Sequence, residues 1–185
     1  MFFAHKNIRR PATHYQGSRR YFITLCCDER RNIFASGDEA IALIKSLREH
    51  SASRNFEIPA FCVMPDHFHA LVFGLEPTSD LLRFIKSVKQ ETGFEYRQRH
   101  GKNLWQKKFY DYILRPNDSA ERIAAYIWMN PVRAGLCSNP LQYPYSGSFT
   151  FDWNKVITNG EAWVPPWKAK QRQSARRESI PKASH

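Results

Sequence analysis

Hydrophobic and polar positions change period along the chain in a way that separates strands from helices. Residues 21–27 (YFITLCC) are aromatic and β-branched and are bounded by charge, which predicts a strand. Over 38–50, Ala40, Ile41, Ile44 and Leu47 recur at helical spacing behind Gly37-Asp38, a start signal. Residues 56–64 read as a second strand. Met64-Pro65-Asp66-His67 is a tight turn, because proline presets the first central dihedral and aspartate suits the second. A third strand follows over 67–74. From Asp80, Leu81, Ile85, Val88 and Thr92, flanked by Leu82 and Phe84, predict an amphipathic helix whose other face carries Arg83, Lys86 and Lys89. Residues 109–114 (FYDYIL) read as a fourth strand, closed by Arg115-Pro116. Asn117-Asp118-Ser119 opens a last helix running to Asn130, with Glu121 three after Asp118 as in a capping box. Pro131 is expected to stop it, since the residue before a proline is pushed out of the helical region.

The order β-α-β-β-α-β followed by a helix predicts an α+β fold: a ferredoxin-like split βαβ sandwich with an antiparallel, RRM-like sheet and an extra C-terminal helix. A chain of 185 residues suits one such domain. Residues 1–164 are assigned to it. Residues 165–185, with six Lys or Arg, one Glu and few apolar groups, read as a basic, flexible tail.

Charge narrows the partner. The chain carries 28 Lys+Arg against 17 Asp+Glu, a formal +11. The tail contributes +5, so residues 1–164 are basic in their own right. That points to a polyanion, either nucleic acid or an anionic membrane surface. At 14% aromatic, the chain has the means to bury a core and is no disordered basic protein. The N-terminus has no apolar stretch of a secretory signal, no run reaches a membrane span, and Cys26, Cys27, Cys62 and Cys137 form no CxxC pair. The expectation is a cytoplasmic protein with reduced thiols.

Two small groupings could carry chemistry. His67 and His69 stand one residue apart on a predicted strand, so both imidazoles leave the same face with Cα atoms about 6.6 Å apart. Such a pair can converge on a divalent ion, or be no more than two strand histidines. Tyr126 and Asn130 are four apart on the last helix and share a face. A tyrosine can act as a covalent nucleophile toward a phosphodiester, or pack a helix on a sheet. Asn130 can equally cap the turn that begins at Pro131.

Three motifs join these residues. MPDHFHALV at 64–72, WQKKFYD at 105–111 and YIWMNPVRAGL at 126–136 stand in the order and spacing of the single-tyrosine HUH transposases. Over about 21–148 the chain resembles their REP-associated tyrosine branch. The resemblance implies cleavage and rejoining of single-stranded DNA beside a hairpin, a palindromic repeat. It makes His67 and His69 metal ligands, with Phe68 the hydrophobe between them, and Tyr126 the catalytic nucleophile. Asn130 falls where the family's helix supplies a third, polar ligand. The implied cofactor is a divalent metal; nitrogen ligands accept zinc, and phosphate chemistry with a carboxamide favours Mg2+ or Mn2+. The implied assembly is a monomer acting in cis, with a swapped homodimer as the alternative, and no membrane. Where the family ends on Trp-Pro-Tyr-Ser-Ser, this chain has Tyr143-Pro144-Tyr145-Ser146-Gly147.

DNA contacts are expected from Arg83, Lys86, Lys89, Arg97, Arg99, Lys107 and Lys108, with Arg9, Arg10, Arg19 and Arg20 at the front end. Trp105 and Tyr110, with Phe109 and Tyr112, are interleaved with that charge, as where unpaired bases stack on aromatics. Two competing functions are compatible with parts of this pattern. One is a noncatalytic single-stranded nucleic-acid binding module, since split βαβ sheets with exposed aromatics also bind RNA. The other is hydrolysis by a metal-activated water, which the histidine pair alone allows and the positioned tyrosine argues against.

Overall fold

The computed structural model describes residues 11–150 together with Asp152 and Trp153. Arg9, Arg10, the boundary at 164 and the basic tail lie outside the described residues. The elements follow the expected order: β1 (Arg20–Cys26), α1 (Asp38–Ser53), β2 (Phe56–Met64), β3 (His67–Gly74), α2 (Leu81–His100), β4 (Tyr110–Ile113) and α3 (Ala120–Trp128). Two short elements come after them, α4 (Asn130–Arg133) and β5 (Ser146–Gly147). The sheet has the order β4-β1-β3-β2-β5 with every neighbouring pair antiparallel, the split βαβ arrangement.

Strand alternation sorts side chains to two faces. On one face, Tyr21, Ile23, Leu25, Phe68, Ala70 and Val72 are buried beneath α1 and α2 with Leu43, Leu47, Phe84 and Val88. On the other, Phe22, Ala60, Cys62, Met64 and Leu71 are buried beneath α3 with Ile123, Ile127 and Trp128. Along β2 the parity switches: Phe56 and Ile58 face α1 and α2, and so do Phe61 and Val63. A register shift between Glu57 and Ala60 makes this possible, and Pro59, which has no N–H for the ladder, falls inside it.

Three expectations are corrected. Ile41 is 61% exposed, because the buried stripe of α1 runs through Ala40, Leu43 and Leu47 instead. The cap of α3 is Ser119, which accepts from Arg122 N, whereas Asp118 accepts from Arg115 N and the Tyr112 hydroxyl in the preceding turn. Pro131 does not end the helical path. It sits in the first turn of α4, where its missing N–H is not needed, and the chain continues to Arg133. Strand β5 was too short to leave a sequence signal. It lies where the terminal motif departs from Trp-Pro-Tyr-Ser-Ser: the Tyr143 hydroxyl donates to Val63 O at 2.8 Å, and Trp128 Nε1 donates to Gly147 O at 2.9 Å. The Tyr145 hydroxyl stands where a side chain at Gly37 would begin, and the φ of +87° there also favours glycine.

Candidate metal and tyrosine site

β3 begins straight after the Pro65-Asp66 turn, so its odd-numbered positions, 67 and 69, share the α3 face with Leu71. His69 lies opposite Thr24 of β1 and Cys62 of β2, and His67 opposite Cys26 and Met64. Both rings are held from the outside. His67 Nδ1 lies 2.5 Å from Asp66 Oδ1, and the second oxygen of that carboxylate pairs with Arg30 Nε at 2.9 Å. His69 Nδ1 lies 2.8 Å from Thr24 Oγ1. The Asp66 carboxyl sits below its ordinary range: burial pushes it up, but the His67 hydrogen bond and the charges of His67 and Arg30 outweigh that.

With Nδ1 of each ring turned to an oxygen partner, the Nε2 atoms face each other at 3.1 Å. In the tautomer in which each Nδ1–H donates outward, both facing atoms are lone-pair acceptors. Two acceptors that close repel unless a cation or proton lies between them. Two ligands at a right angle on a metal with bonds of about 2.1 Å would be about 3.0 Å apart, so the pair fits one divalent ion. The outer oxygen partners are what metal-binding imidazoles ordinarily carry. No cluster of three or more His, Cys, Asp or Glu able to hold a metal exists among the described residues.

Tyr126 projects from α3 onto the same face. It is 6% exposed, its ring centroid is 6.5 Å from that of His69, and Phe22 contacts both rings at 5.4 and 6.1 Å. Arg133 lies over the Tyr126 ring, with Cζ 4.4 Å from the centroid, and also donates to Tyr126 O. Burial raises the Tyr126 phenol above its ordinary value and the Arg133 charge opposes the rise, so the hydroxyl holds its proton until something takes it. Asn130 Nδ2 donates to Tyr126 O at 3.0 Å and Ile127 O at 3.1 Å, capping the end of α3. Capping therefore uses the amide nitrogen, whereas the ligating atom of a carboxamide is its oxygen.

The basic residues expected on α2 do not gather around this site. Arg83, Lys86, Lys89, Arg97 and Arg99 lie on α2, which covers the opposite face of the sheet. Arg83 and Lys86 are exposed. Arg99 pairs with Glu39 at 2.9 Å, and Lys89 Nζ donates to the carbonyls of Gln106 and Lys107. Trp105 is no open stacking surface. It is 8% exposed, packs on Phe34 beneath α2 and donates Nε1 to Thr92 Oγ1 at 2.9 Å. Phe109 is buried in the same core. Tyr110 and Tyr112 are packed on the face of the histidines, Tyr110 edge-on to Phe22, and burial raises the Tyr110 hydroxyl. Lys107 and Lys108 are exposed on the loop between the two faces. Sequence reasoning missed Thr24, Asp66 and Arg133. Asp66 is adjacent to His67 and Arg133 is seven residues, two helical turns, after Tyr126, whereas Thr24 is linked to His69 only through strand pairing.

Among the described residues, no helix is long and apolar enough to cross a membrane. Residues 16–130 match a family model described as transposase, IS200-like. A REP-associated tyrosine transposase of Escherichia coli (strain K12) is 28% identical over 130 residues, 65% of this chain and 74% of that protein. A putative REP-associated tyrosine transposase of Haemophilus influenzae is 26% identical over 141 residues, 68% and 77% of the two chains. The fold superposes with a TM-score of 0.68 on the structure of a REP-associated tyrosine transposase bound to a REP hairpin, at 22% identity, covering 88% of this chain and 96% of that one.

Proposed function

The chain belongs to the IS200-like transposase family, and on that premise we propose that it is a metal-dependent single-strand DNA endonuclease and transesterase working through Tyr126. The observation that carries this reading is the convergence of the two Nε2 atoms at 3.1 Å, with Tyr126 packed beside His69 on the same face. His67 and His69 would hold the divalent ion, with Asn130 Oδ1 as the third ligand and Mg2+ or Mn2+ as the metal. When bound, that ion polarises the scissile phosphate and offsets charge on the leaving oxygen.

The chain's own residues do the rest. Asp66 and Thr24 fix the imidazole orientations. Phe22 packs on both the His69 and the Tyr126 rings, and Arg133 lies over the phenol ring. The Tyr126 oxygen, on losing its proton, bonds to phosphorus while the bond from phosphorus to the 3′ oxygen breaks. The products are a 5′-phosphotyrosine link and a strand ending in a 3′-hydroxyl. Attack by a 3′-hydroxyl on that link reseals DNA and returns the phenol, with no nucleotide cofactor consumed. The substrate is single-stranded DNA beside a hairpin, a reading supported by the REP hairpin bound to the structural relative. The packing of α3 on the sheet of its own chain supports a monomer acting in cis, with a swapped homodimer as the alternative.

The test is to incubate wild type and Tyr126→Phe with single-stranded hairpin DNA and Mn2+, Mg2+ or chelator, and to look for an SDS-resistant protein-DNA adduct. An adduct that needs both metal and Tyr126 is expected. An adduct that persists in Tyr126→Phe, or strand cleavage by wild type with no adduct, overturns the assignment. Tight binding of several hairpins with neither adduct nor nick leaves the noncatalytic module.

A further inference from the structure

On the α2 side, away from the histidines, residues 103–107 run across the C-terminal half of α2 and leave a slot of about 340 Å³. The loop is fastened at both ends. Arg97 bonds Asn103 Oδ1, Arg31 donates to Asn103 O, and Lys89 Nζ holds the carbonyls of Gln106 and Lys107. The floor is Gly93 with Leu104 and Trp105; a side chain added at Gly93 would stand 3.6 Å from the Trp105 ring. One wall is a stripe of α2 at positions 90, 94 and 97, which helical spacing places on one side.

Three features of this slot select a ligand. Phe94 is 64% exposed, an uncovered aromatic ring at the rim. Gln90 and Gln106 bring side-chain amides, which donate and accept. Lys89, Arg97 and Lys107 supply positive charge, and none of the described residues that line the slot is acidic. A cationic concavity with a bare ring and amide edges suits an unpaired nucleobase on its phosphate backbone. The route from the active face is short. Gln106 N donates to Cys26 O, Tyr110 pairs with Thr24, and Thr24 anchors His69, with exposed Lys107 and Lys108 between them.

We propose that this slot is a second single-stranded DNA site, which takes one unpaired base stacked on Phe94, with its edge at the Gln90 and Gln106 amides and its phosphate at Lys107. The proposal rests on the reading of single-stranded DNA as substrate. A strand engaged at Tyr126 would pass over Lys107 and Lys108 and be gripped on the far side of the sheet, holding the cleaved end.

The test measures binding of full-length wild type, Phe94→Ala and Gly93→Leu to two fluorescein-labelled probes, a short oligothymidine and a blunt hairpin without unpaired nucleotides. Phe94 is exposed, so its removal spares the core, and Gly93→Leu plugs the slot from its floor; thermal melting verifies that both fold. Loss of one stacked base predicts about tenfold weaker oligothymidine binding in both variants, with the blunt hairpin within twofold. Oligothymidine binding within twofold of wild type in both variants, or an equal loss on both probes, overturns the slot. The adduct assay separates the two readings. Adduct formation with no dependence of strand binding on Phe94 removes only the slot, whereas Phe94-dependent binding with no adduct removes only the transesterase.

Discussion

Beneath α1 and α2 the sheet is sealed by large side chains, with Tyr21, Ile23, Leu25, Phe34, Phe68 and Phe84 all fully buried. The opposite face is covered by the nine-residue α3 together with α4 and Tyr143, and Phe22, Leu71, Ile127 and Trp128 are fully buried there. Beside that helix the face stays polar, and there His67, His69, Thr24 and Tyr126 meet. The same strands serve both sides, since each residue added to β3 alternates between them. The contrast teaches that hydrophobic burial, at roughly 25 cal/mol per Å², can seal both sides of a sheet while one of them still keeps room for charged ligands and a buried phenol.

The sharpest way to break that contrast is a pair of substitutions. His69→Ala should remove adduct formation by a thousandfold or more with little change in melting temperature, whereas Phe84→Ala should cost about 3–5 kcal/mol of stability and leave adduct formation per folded molecule near wild type. Equal damage to both properties by both variants would erase the distinction; adduct yield and thermal melting read it. Next in size are the partners of the imidazoles. Asp66→Asn and Thr24→Val should each raise the Mn2+ concentration for half-maximal adduct by about 10- to 100-fold, measured by metal titration.

Smaller effects test how firmly α3 is seated. Ser119→Ala removes its cap and should cost about 1 kcal/mol in chemical denaturation. The buried thiols report which face opens first. Burial pushes both Cys27, on the α2 side, and Cys62, on the α3 side, up to about 12, so neither reacts while covered. With a thiol reagent at pH 8 and rising denaturant, Cys62 should be labelled before Cys27, as mass spectrometry of the peptides would show. Simultaneous labelling would mean that the two faces open as one unit.

Much of this division was legible in the sequence. Strands 56–64 and 67–74 were bounded as the structure has them, because a proline turn and apolar alternation are local signals. The histidine pair followed from the same alternation. What failed depended on neighbours distant in sequence. Trp105, among lysines, reads as an exposed aromatic, yet Thr92 and Phe34 draw it into the core. Ile41 sits about 100° around α1 from Ala40, enough to leave the buried stripe. Pro131 is tolerated because Met129 already breaks the regular helix and the proline falls in a first turn. Charge alone makes the α2 cations DNA contacts; only the layer order puts them on the face away from Tyr126.

The alternation along β3 also limits how such a site can change over evolutionary time. A single-residue insertion or deletion in the Pro65-Asp66 turn would carry Phe68, Ala70 and Val72 to the polar face and drive both imidazoles under α2. A substitution at 67 or 69 therefore alters one ligand and leaves both faces in place, whereas a change in the length of that turn exchanges the faces of the whole strand.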